Sequence, residues 1–369
     1  MSAVAGARHL YVHLPFCSSR CGYCDFVTVV GRFGEHARYV DALLRELELE
    51  RELLAPQPET VYLGGGTPTL TEPRELERLL YALPRSAELT IEANPETVTE
   101  GLAALLKRSG VDRVSLGAQS FDATHLETLG RAARPDDVRR SFAYLRAAGI
   151  DNISLDLIYG IPGQTPDDLA RDLAEAVALG PEHLSAYELE AKPGTRFTHA
   201  HGAELERQAD SLETYFERVV ETLGAAGYRW YETANFCRAG ERDLRARHNL
   251  GYWLGNDYLG LGVGAVSTLD GIRRRNAPSL RRYLEALEQG ARPPRELEEL
   301  TPEIRQTERV MLGLRLDEPL DLTGLDGALD TRELERLTAL GLAVQTGQTL
   351  ALTPRGRFLG GGVTARLLA

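Results

Sequence analysis

Short apolar runs alternate, along the first half of the chain, with longer segments in which apolar residues recur every three or four positions. The short runs predict strands at residues 10–14, 61–63, 89–92, 113–117, 152–158 and 183–188. The helical spacing predicts helices at residues 35–54, 73–83, 100–108, 135–148 and 166–179. Strands that alternate with helices form a parallel sheet, which either closes into a barrel or stays open. In both cases the functional residues lie at the carboxyl ends of the strands.

The pattern changes after about residue 205. A long helix is predicted at 206–225, followed by a mixed region with a glycine-rich run at 260–264. From residue 301 onward, helices precede two short apolar segments on either side of a turn at Gly347, an order typical of a winged-helix-like unit. We therefore expect three domains: a parallel α/β unit at 1–205, a helical and mixed extension at 206–300, and a C-terminal helical, winged-helix-like domain at 301–369.

Composition excludes several classes of function. The chain has 369 residues, of which 43% are hydrophobic, so it is long enough for a sizeable core. Its formal net charge of −12 disfavours nucleic acid as a partner, because phosphate binding needs a basic surface. The sequence contains no apolar run long enough for a membrane span, so any contact with a membrane would be peripheral. Residues 1–8 lack the apolar core of a signal peptide, which predicts a cytoplasmic location.

Three of the four cysteines, Cys17, Cys21 and Cys24, lie within eight residues, which is typical of a metal site. A [4Fe–4S] cluster held by three thiolates leaves one iron without a protein ligand. That iron can accept the amino and carboxylate groups of S-adenosylmethionine, whereas an electron-transfer cluster has four cysteine ligands. The alternative is a zinc ion whose fourth ligand is His13. Cys237 stands alone, and an isolated cysteine is more typical of a small buried residue.

Further candidate cofactor residues follow the later strands. The run Gly64-Gly65-Gly66-Thr67-Pro68 comes directly after a predicted strand, and glycines let a backbone approach a ligand closely. Polar residues also stand at the ends of predicted strands. Their carboxylates can accept hydrogen bonds from ribose hydroxyls, and the one arginine among them can pair with a carboxylate. Tyr11, on the first strand, can pack against the cofactor with its hydroxyl as a polar group. The polar residues at strand ends are Glu92, Gln119, Arg131 and Asp156.

The cysteine spacing, which is similar to that of radical-SAM proteins, occurs together with a set of motifs. The motifs are Tyr11-Val-His-Leu-Pro-Phe-Cys17, Gly64-Gly-Gly-Thr-Pro68, Ile91-Glu-Ala-Asn-Pro-Glu96, Leu116-Gly-Ala-Gln-Ser-Phe121 and Asp156-Leu-Ile-Tyr-Gly160. Together they resemble the oxygen-independent coproporphyrinogen III oxidase family over essentially the whole chain. The resemblance implies an incomplete (βα)6 TIM-type barrel with a C-terminal helical domain. It also implies a [4Fe–4S] cluster on the three cysteines and an S-adenosylmethionine site formed by Tyr11, Tyr23, Gly65, Gly66, Thr67, Glu92, Gln119, Arg131 and Asp156.

Two departures favour the haem chaperone branch of this family over the oxidases. In the oxidases a further cysteine lies two residues after the third cluster cysteine, where this chain has Phe26. The oxidases also carry an N-terminal extension that helps to enclose the substrate, whereas only nine residues precede the first predicted strand here.

The segment His248-Asn-Leu-Gly-Tyr252-Trp253 matches the HNxxYW motif of the haem chaperone branch. A neutral imidazole is a common ligand of haem iron, so His248 is the candidate haem ligand. Tyr252 and Trp253 offer flat apolar surface to a porphyrin and a polar edge to its propionates. The alternative is a helix cap with two core aromatic residues.

The function implied is that of a haem chaperone, which binds haem and passes it to apo-haemoproteins, with recipients expected in the respiratory chain. No residue is assigned a catalytic role. Two enzymatic alternatives stay open. The first is a coproporphyrinogen III oxidase that abstracts hydrogen from propionate side chains through a 5′-deoxyadenosyl radical, and the second is a haem-degrading enzyme similar to radical methyltransferases. Phe26 and the short N-terminal segment disfavour the first.

Overall fold

The computed structural model describes residues 6–192 and 195–368. The strands are β1 (His9–Leu14), β2 (Phe16–Cys17), β3 (Val29–Val30), β4 (Thr60–Gly65), β5 (Glu88–Ala93), β6 (Arg113–Gln119), β7 (Ile153–Tyr159), β8 (His183–Glu188), β9 (Tyr228–Glu232), β10 (Asn235–Arg238), β11 (Tyr258–Leu261), β12 (Val266–Leu269), β13 (Ile272–Asn276), β14 (Arg295–Glu299), β15 (Leu320–Asp321), β16 (Ala343–Thr346) and β17 (Thr349–Leu352). The helices are α1 (His36–Leu49), α2 (Pro73–Ala82), α3 (Glu100–Arg108), α4 (Ala123–Thr128), α5 (Pro135–Ala147), α6 (Pro166–Leu179), α7 (Arg196–Gln208), α8 (Leu212–Ala225), α9 (Arg247–Trp253), α10 (Leu280–Glu288), α11 (Pro302–Gly313), α12 (Thr331–Ala339), α13 (Pro354–Phe358) and α14 (Gly360–Leu367).

In the described part of the chain, twelve strands form one sheet in the order β14-β13-β12-β11-β1-β4-β5-β6-β7-β8-β10-β9. The strands from β11 to β8 are parallel, and the outer strands on both sides are antiparallel. Within those residues the end strands β14 and β9 do not pair, so the barrel is incomplete. The predicted fold is confirmed, since the six predicted strands are β1, β4, β5, β6, β7 and β8 in the predicted order.

The inside of this barrel is polar. Along β7, Ile153, Leu155 and Leu157 are buried in the main hydrophobic core, while Ser154 and Asp156 face the opposite side and hydrogen-bond to each other. This alternation follows from the strand period of two. The apolar face packs under the surrounding helices, and the polar face leaves donors and acceptors for a ligand.

The second half of the barrel differs from the sequence-based expectation. The predicted helix at 206–225 is confirmed, because all of these residues are helical: they form the end of α7, a 3-10 helical turn at residues 209–211, and α8. Strands β9 to β14 were not predicted, and they extend the same sheet on both sides. Residues of the expected 206–300 extension therefore lie in the sheet of the barrel, and the expected boundary at 205 lies inside α7.

The C-terminal residues have a hydrophobic core of their own. It contains Val310 of α11, Leu337 of α12, Leu350 of β17 and Leu367 of α14, all nearly or fully buried. The helices lie beside a small antiparallel sheet, β15-β17-β16, whose last two strands correspond to the predicted segments at 342–345 and 349–352. Across the described residues, no helix combines the length and the apolar character that crossing a bilayer requires.

Candidate functional site

A cavity of about 560 Å³ extends along the inside of the barrel, and we call it the barrel cavity. It is lined by residues from both ends of β6, Arg113 and Gln119, so it reaches from the carboxyl ends of the strands to their beginnings. Tyr11 and His248 are not among its lining residues. The predicted site residues that line it are Cys17, Cys21, Tyr23, Cys24, Gly65, Gly66, Thr67, Glu92, Gln119, Arg131 and Asp156.

The three clustered cysteines lie at the mouth of the barrel cavity, where Cys17 ends β2 and the other two follow on the next loop. All three are half-buried. Burial raises the pKa of the Cys17 and Cys24 thiols, and the neighbouring thiols raise it further. Thiolates at this position therefore need positive compensation, which the irons of a cluster would provide.

The zinc alternative does not fit this geometry. His13 hydrogen-bonds to the Tyr11 hydroxyl through Nδ1 (3.0 Å) and to the Val27 carbonyl through Nε2 (2.8 Å), so neither ring nitrogen is free. In the described ranges, no three Cys, His, Asp or Glu side chains are placed to hold a metal ion. A single zinc needs its ligands to converge on one point, whereas each thiolate of a cubane binds a different iron. The loop therefore fits a cluster better than zinc.

A chain of hydrogen bonds connects two of the cysteines through the barrel cavity. The Cys17 thiol contacts the Thr67 hydroxyl (3.6 Å), which accepts a hydrogen bond from Asn94 Nδ2 (2.9 Å). The Asn94 Oδ1 atom accepts a hydrogen bond from Arg131 (2.7 Å), and Arg131 also donates to the Cys21 sulfur (3.8 Å). The guanidinium is thus fixed beside the thiols. Asn94 was missed as a site residue, although it lies in the motif at residues 91–96.

The glycine turn after β4 must lack side chains for steric reasons. Gly65 has a φ of +117°, and a Cβ atom on it would lie 2.6 Å from the His13 ring. A Cβ on Gly66 would lie 2.6 Å from the Pro15 carbonyl oxygen, directly before the cysteine loop. The bare backbone therefore lets the turn pack against His13 of β1 and against Pro15, and both glycines line the barrel cavity.

Two carboxyl groups face the barrel cavity with their partners already in place. Glu92 accepts hydrogen bonds from the Tyr62 hydroxyl (2.7 Å) and the Gly65 amide (3.0 Å). Burial nevertheless raises the pKa of Glu92 to about 7. Asp156 accepts a hydrogen bond from the Ser115 hydroxyl (3.0 Å), and burial raises its pKa as well. Glu92 can thus donate or accept hydrogen bonds with ligand hydroxyls near neutral pH, and the oxygens of Asp156 can accept them.

Gln119, the last residue of β6, has a φ of +65°, a left-handed conformation that non-glycine residues rarely adopt. The pairing of β6 with β7 shifts register between Leu116 and Gln119. Local strain of this kind persists where the surrounding structure enforces it and is concentrated at functional sites. Gln119, the residue at this distortion, lines the barrel cavity.

The structure separates Tyr11 and His248 from the other predicted site residues. Tyr11 lines a different surface cavity, together with Tyr252. His248 is 1% exposed, and its two nitrogens hydrogen-bond to the Thr60 hydroxyl (2.7 Å) and the Tyr252 hydroxyl (2.8 Å). Both nitrogens of His248 thus have partners within the protein, and its role as a haem ligand stays a prediction. This histidine instead connects α9 to the beginning of β4.

Replacing His248 with glutamine is expected to reduce the acid sensitivity of folding. Burial lowers the pKa of His248 to about 3, whereas a histidine of the unfolded chain titrates near 6.5. Between these pH values the unfolded state binds the extra proton, so stability falls as the pH drops below 6.5. From pH 7.5 to 5 the His248 contribution falls by about 2 kcal/mol, which the variant would not lose. Urea unfolding at both pH values measures this difference.

The matched control is His199→Gln at an exposed position on α7, which should follow the wild type. Equal pH dependence of the wild type and His248→Gln would contradict the buried, neutral assignment of His248.

A second cavity, of about 650 Å³, lies between α9, the antiparallel part of the sheet and α11, and we call it the aromatic cavity. Tyr252 and Trp253 line it from α9, and Arg305 and Arg309 line it from α11. The Arg315 guanidinium stacks 4.4 Å from the centre of the Trp253 ring. The cavity thus combines flat aromatic surface with arginine side chains, beside the carboxylates of Asp257 and Glu308, and it is lined by both aromatic residues of the HNxxYW motif.

Residues 11–176 match the radical SAM superfamily, and residues 300–359 match the HemN C-terminal domain. The haem chaperone HemW of Mycobacterium tuberculosis (strain H37Rv) is 39% identical over 371 residues, which cover 97% of this chain and 94% of the relative. HemW of Bacillus subtilis (strain 168) is 33% identical over 384 residues, covering 98% and 99% respectively.

The structure of coproporphyrinogen III oxidase (HemN) from Escherichia coli matches with a TM-score of 0.82 and 23% identity, covering 99% of this chain and 91% of that one. At this identity the likeness shows the shared fold. The two HemW relatives, by contrast, exceed 30% identity over nearly the full length of both chains. This chain therefore belongs to the HemW haem chaperone family of radical-SAM proteins.

Proposed function

We propose that this protein is a haem chaperone that also binds a [4Fe–4S] cluster and S-adenosylmethionine. Cys17, Cys21 and Cys24 would hold the cluster, and the barrel cavity would hold S-adenosylmethionine. Arg131 would bind its carboxylate, and Glu92 would hydrogen-bond to its ribose. The proposal rests on two observations. The cysteines and the other proposed cofactor residues line one cavity, and the chain of hydrogen bonds described above holds the Arg131 guanidinium beside the Cys21 thiol. When bound, the cluster supplies an electron to the sulfonium.

We propose that haem binds in the aromatic cavity, and the composition of this cavity is the observation that carries the proposal. A porphyrin has two flat apolar faces and two anionic propionates. Tyr252 and Trp253 offer aromatic surface, while Arg305 and Arg309 offer guanidinium groups that suit carboxylates. Arg273, which also lines this cavity, is paired with Glu308 (2.7 Å), so Arg305 and Arg309 are the guanidinium groups proposed for the propionates.

We further propose that the bound haem is passed to apo-haemoproteins, including those of the respiratory chain. The support is the name of the relatives, which are haem chaperones. The aromatic cavity is open to the surface, as release of a cargo requires. Action in the cytoplasm with peripheral contact to the membrane is part of the same proposal.

A haem titration of the purified, cluster-containing protein tests the haem site. We expect one haem per chain, and about tenfold weaker binding by Trp253→Ala, because a lost aromatic contact is equivalent to about 1.4 kcal/mol. The Soret absorbance at increasing haem concentration measures the affinity. Transfer is then followed by mixing the haem-loaded protein with an apo-cytochrome of the respiratory chain.

The matched control is Trp230→Ala, which removes the other tryptophan, on β9 and outside the aromatic cavity. It should bind haem as the wild type does. Equal haem affinities for wild type, Trp253→Ala and Trp230→Ala would place haem elsewhere.

Coproporphyrinogen III oxidation is the second candidate function, because the barrel cavity keeps the polar lining that a radical-SAM reaction needs. Phe26, in place of the additional cysteine of the oxidases, lines the same cavity and is 61% exposed. Anaerobic incubation with coproporphyrinogen III, a reductant and S-adenosylmethionine distinguishes the two functions. Formation of protoporphyrinogen would favour the oxidase over the chaperone.

A further inference from the structure

The barrel cavity contains a buried positive charge that the cofactor assignment does not use. Arg113, the first residue of β6, is 2% exposed and lines the inner end of this cavity. Its Nε atom has no hydrogen-bond partner. Within residues 6–192 and 195–368, its guanidinium forms no salt bridge and no side-chain hydrogen bond. Burial of an uncompensated charge costs several kcal/mol, so such a group is rarely purely structural.

The nearest acidic groups do not neutralise Arg113 by contact. The positive charge of Arg113 counteracts the burial-induced rise in the pKa of Glu88 and Asp156, which places both within electrostatic range. Each carboxyl group, however, has other donors. Glu88 accepts a hydrogen bond from the Arg247 amide (3.2 Å), and Asp156 accepts one from Ser115 (3.0 Å). The guanidinium donors that face the cavity are therefore left for a ligand.

The position of Arg113 also separates it from the proposed methionine end of S-adenosylmethionine. Arg131 donates to the carbonyl of Gly117 on β6 (3.1 Å), four residues along the strand from Arg113. At a strand rise of about 3.3 Å per residue, the two backbone positions are about 13 Å apart. Arg131 therefore contacts β6 near its carboxyl end, whereas Arg113 begins the strand.

The wall around Arg113 offers further polar groups. Asn249 of α9 lines the same cavity, and so does Ser185 of β8. His183, whose nitrogens hydrogen-bond to Ser154 (2.8 Å) and Tyr231 (2.8 Å), is held in place beside them. These groups offer a ligand neutral hydrogen-bonding partners beside the guanidinium, and Asp156, held by Ser115, is the acidic group that faces the same cavity.

We propose that the inner end of the barrel cavity is a carboxylate-binding subsite, in which Arg113 pairs with the carboxylate of a second ligand that lies beyond S-adenosylmethionine. Guanidinium groups bind carboxylates through two parallel hydrogen bonds, and exclusion of water strengthens the pair. The carboxylate belongs either to a free small acid or to a porphyrin propionate. This subsite is independent of haem binding in the aromatic cavity.

Propionate is the probe for this subsite. Saturation-transfer NMR on the cluster-containing protein with S-adenosylmethionine measures its affinity. We expect binding by the wild type, at least tenfold weaker binding by Arg113→Gln, and less than threefold loss by Arg113→Lys, which keeps the charge. The affinity for S-adenosylmethionine should change less than threefold in both variants. Absence of propionate binding by the wild type, or equal binding by Arg113→Gln, would overturn the proposal.

A second variant keeps the test decisive if Arg113→Gln does not fold. Asn249→Asp adds a negative charge to the same cavity without removing the guanidinium, and it should also weaken propionate binding at least tenfold. Unchanged binding by a folded Asn249→Asp variant would overturn the proposal. A second equivalent of haem, added after the aromatic cavity is filled, then identifies the source of the carboxylate: displacement of propionate indicates a porphyrin propionate, and unchanged propionate binding indicates a small acid.

Discussion

Cys21→Ser is expected to reduce the iron content of the anaerobically reconstituted protein from about four irons per chain to nearly none. A serine hydroxyl does not ionise near neutral pH, so it cannot replace a thiolate as an iron ligand. Among the described residues, three cysteines line the barrel cavity, and the loss of one leaves two ligands for the cubane. Iron analysis and the visible absorption of the cluster measure the change.

Cys237→Ser is the matched control for this experiment. Cys237 is buried in a small apolar cluster with Leu244 and Leu250, away from the barrel cavity. Burial raises its pKa to about 11, which suits a neutral structural thiol. This variant should keep its iron. One zinc per chain and no iron in the wild type, purified without oxygen, would contradict the cluster assignment.

The parallel strands of the barrel could be predicted because each one is recognisable from its own short stretch of sequence. Each of the six predicted strands is a short apolar run between helical segments, and each agrees with the structure to within two residues. The antiparallel strands could not be predicted in this way. The strand β13 has the sequence Ile-Arg-Arg-Arg-Asn, and its arginines are balanced only by residues distant in the chain, such as Glu298 opposite Arg273 (3.0 Å).

The same distinction applies to the candidate site. Cys17, Gly65 and Glu92 were found because they stand at strand ends within recognisable motifs. Asn94 and Arg113 were missed because their significance depends on neighbours across the sheet, which spacing does not reveal. An alternation of polar and apolar residues in β6 was the only available signal for Arg113.

The surroundings of the HNxxYW motif could not be predicted from its sequence. The helix α9, which carries the motif, packs against the beginning of the barrel strands. The side chains on the helix therefore face different surroundings: His248 is buried at the barrel, Asn249 lines the barrel cavity, and Tyr252 and Trp253 line the aromatic cavity. One short helix forms a common wall of both cavities, which the sequence motif alone could not indicate.

Arg131→Gln is expected to weaken S-adenosylmethionine binding about 100-fold, equivalent to about 2.7 kcal/mol. The guanidinium is positioned by Asn94 (2.7 Å) and by the Gly117 carbonyl (3.1 Å), so its charge is fixed before the ligand arrives. A neutral amide would leave the methionine carboxylate desolvated without a countercharge. Equilibrium dialysis of labelled S-adenosylmethionine against the cluster-containing protein measures the affinity.

A graded series separates the charge of Arg131 from its positioning. Asn94→Ala removes one of the two fixed contacts but keeps the charge, so we expect about fivefold weaker binding, consistent with the net contribution of one hydrogen bond. Arg134→Gln, at an exposed position three residues further along, is the matched control and should bind as the wild type does. All three variants keep the cysteines and should therefore keep their iron. If Arg131→Gln binds S-adenosylmethionine normally while its iron content is intact, the carboxylate must bind elsewhere, and the unpaired Arg113 at the inner end of the same cavity becomes the alternative partner.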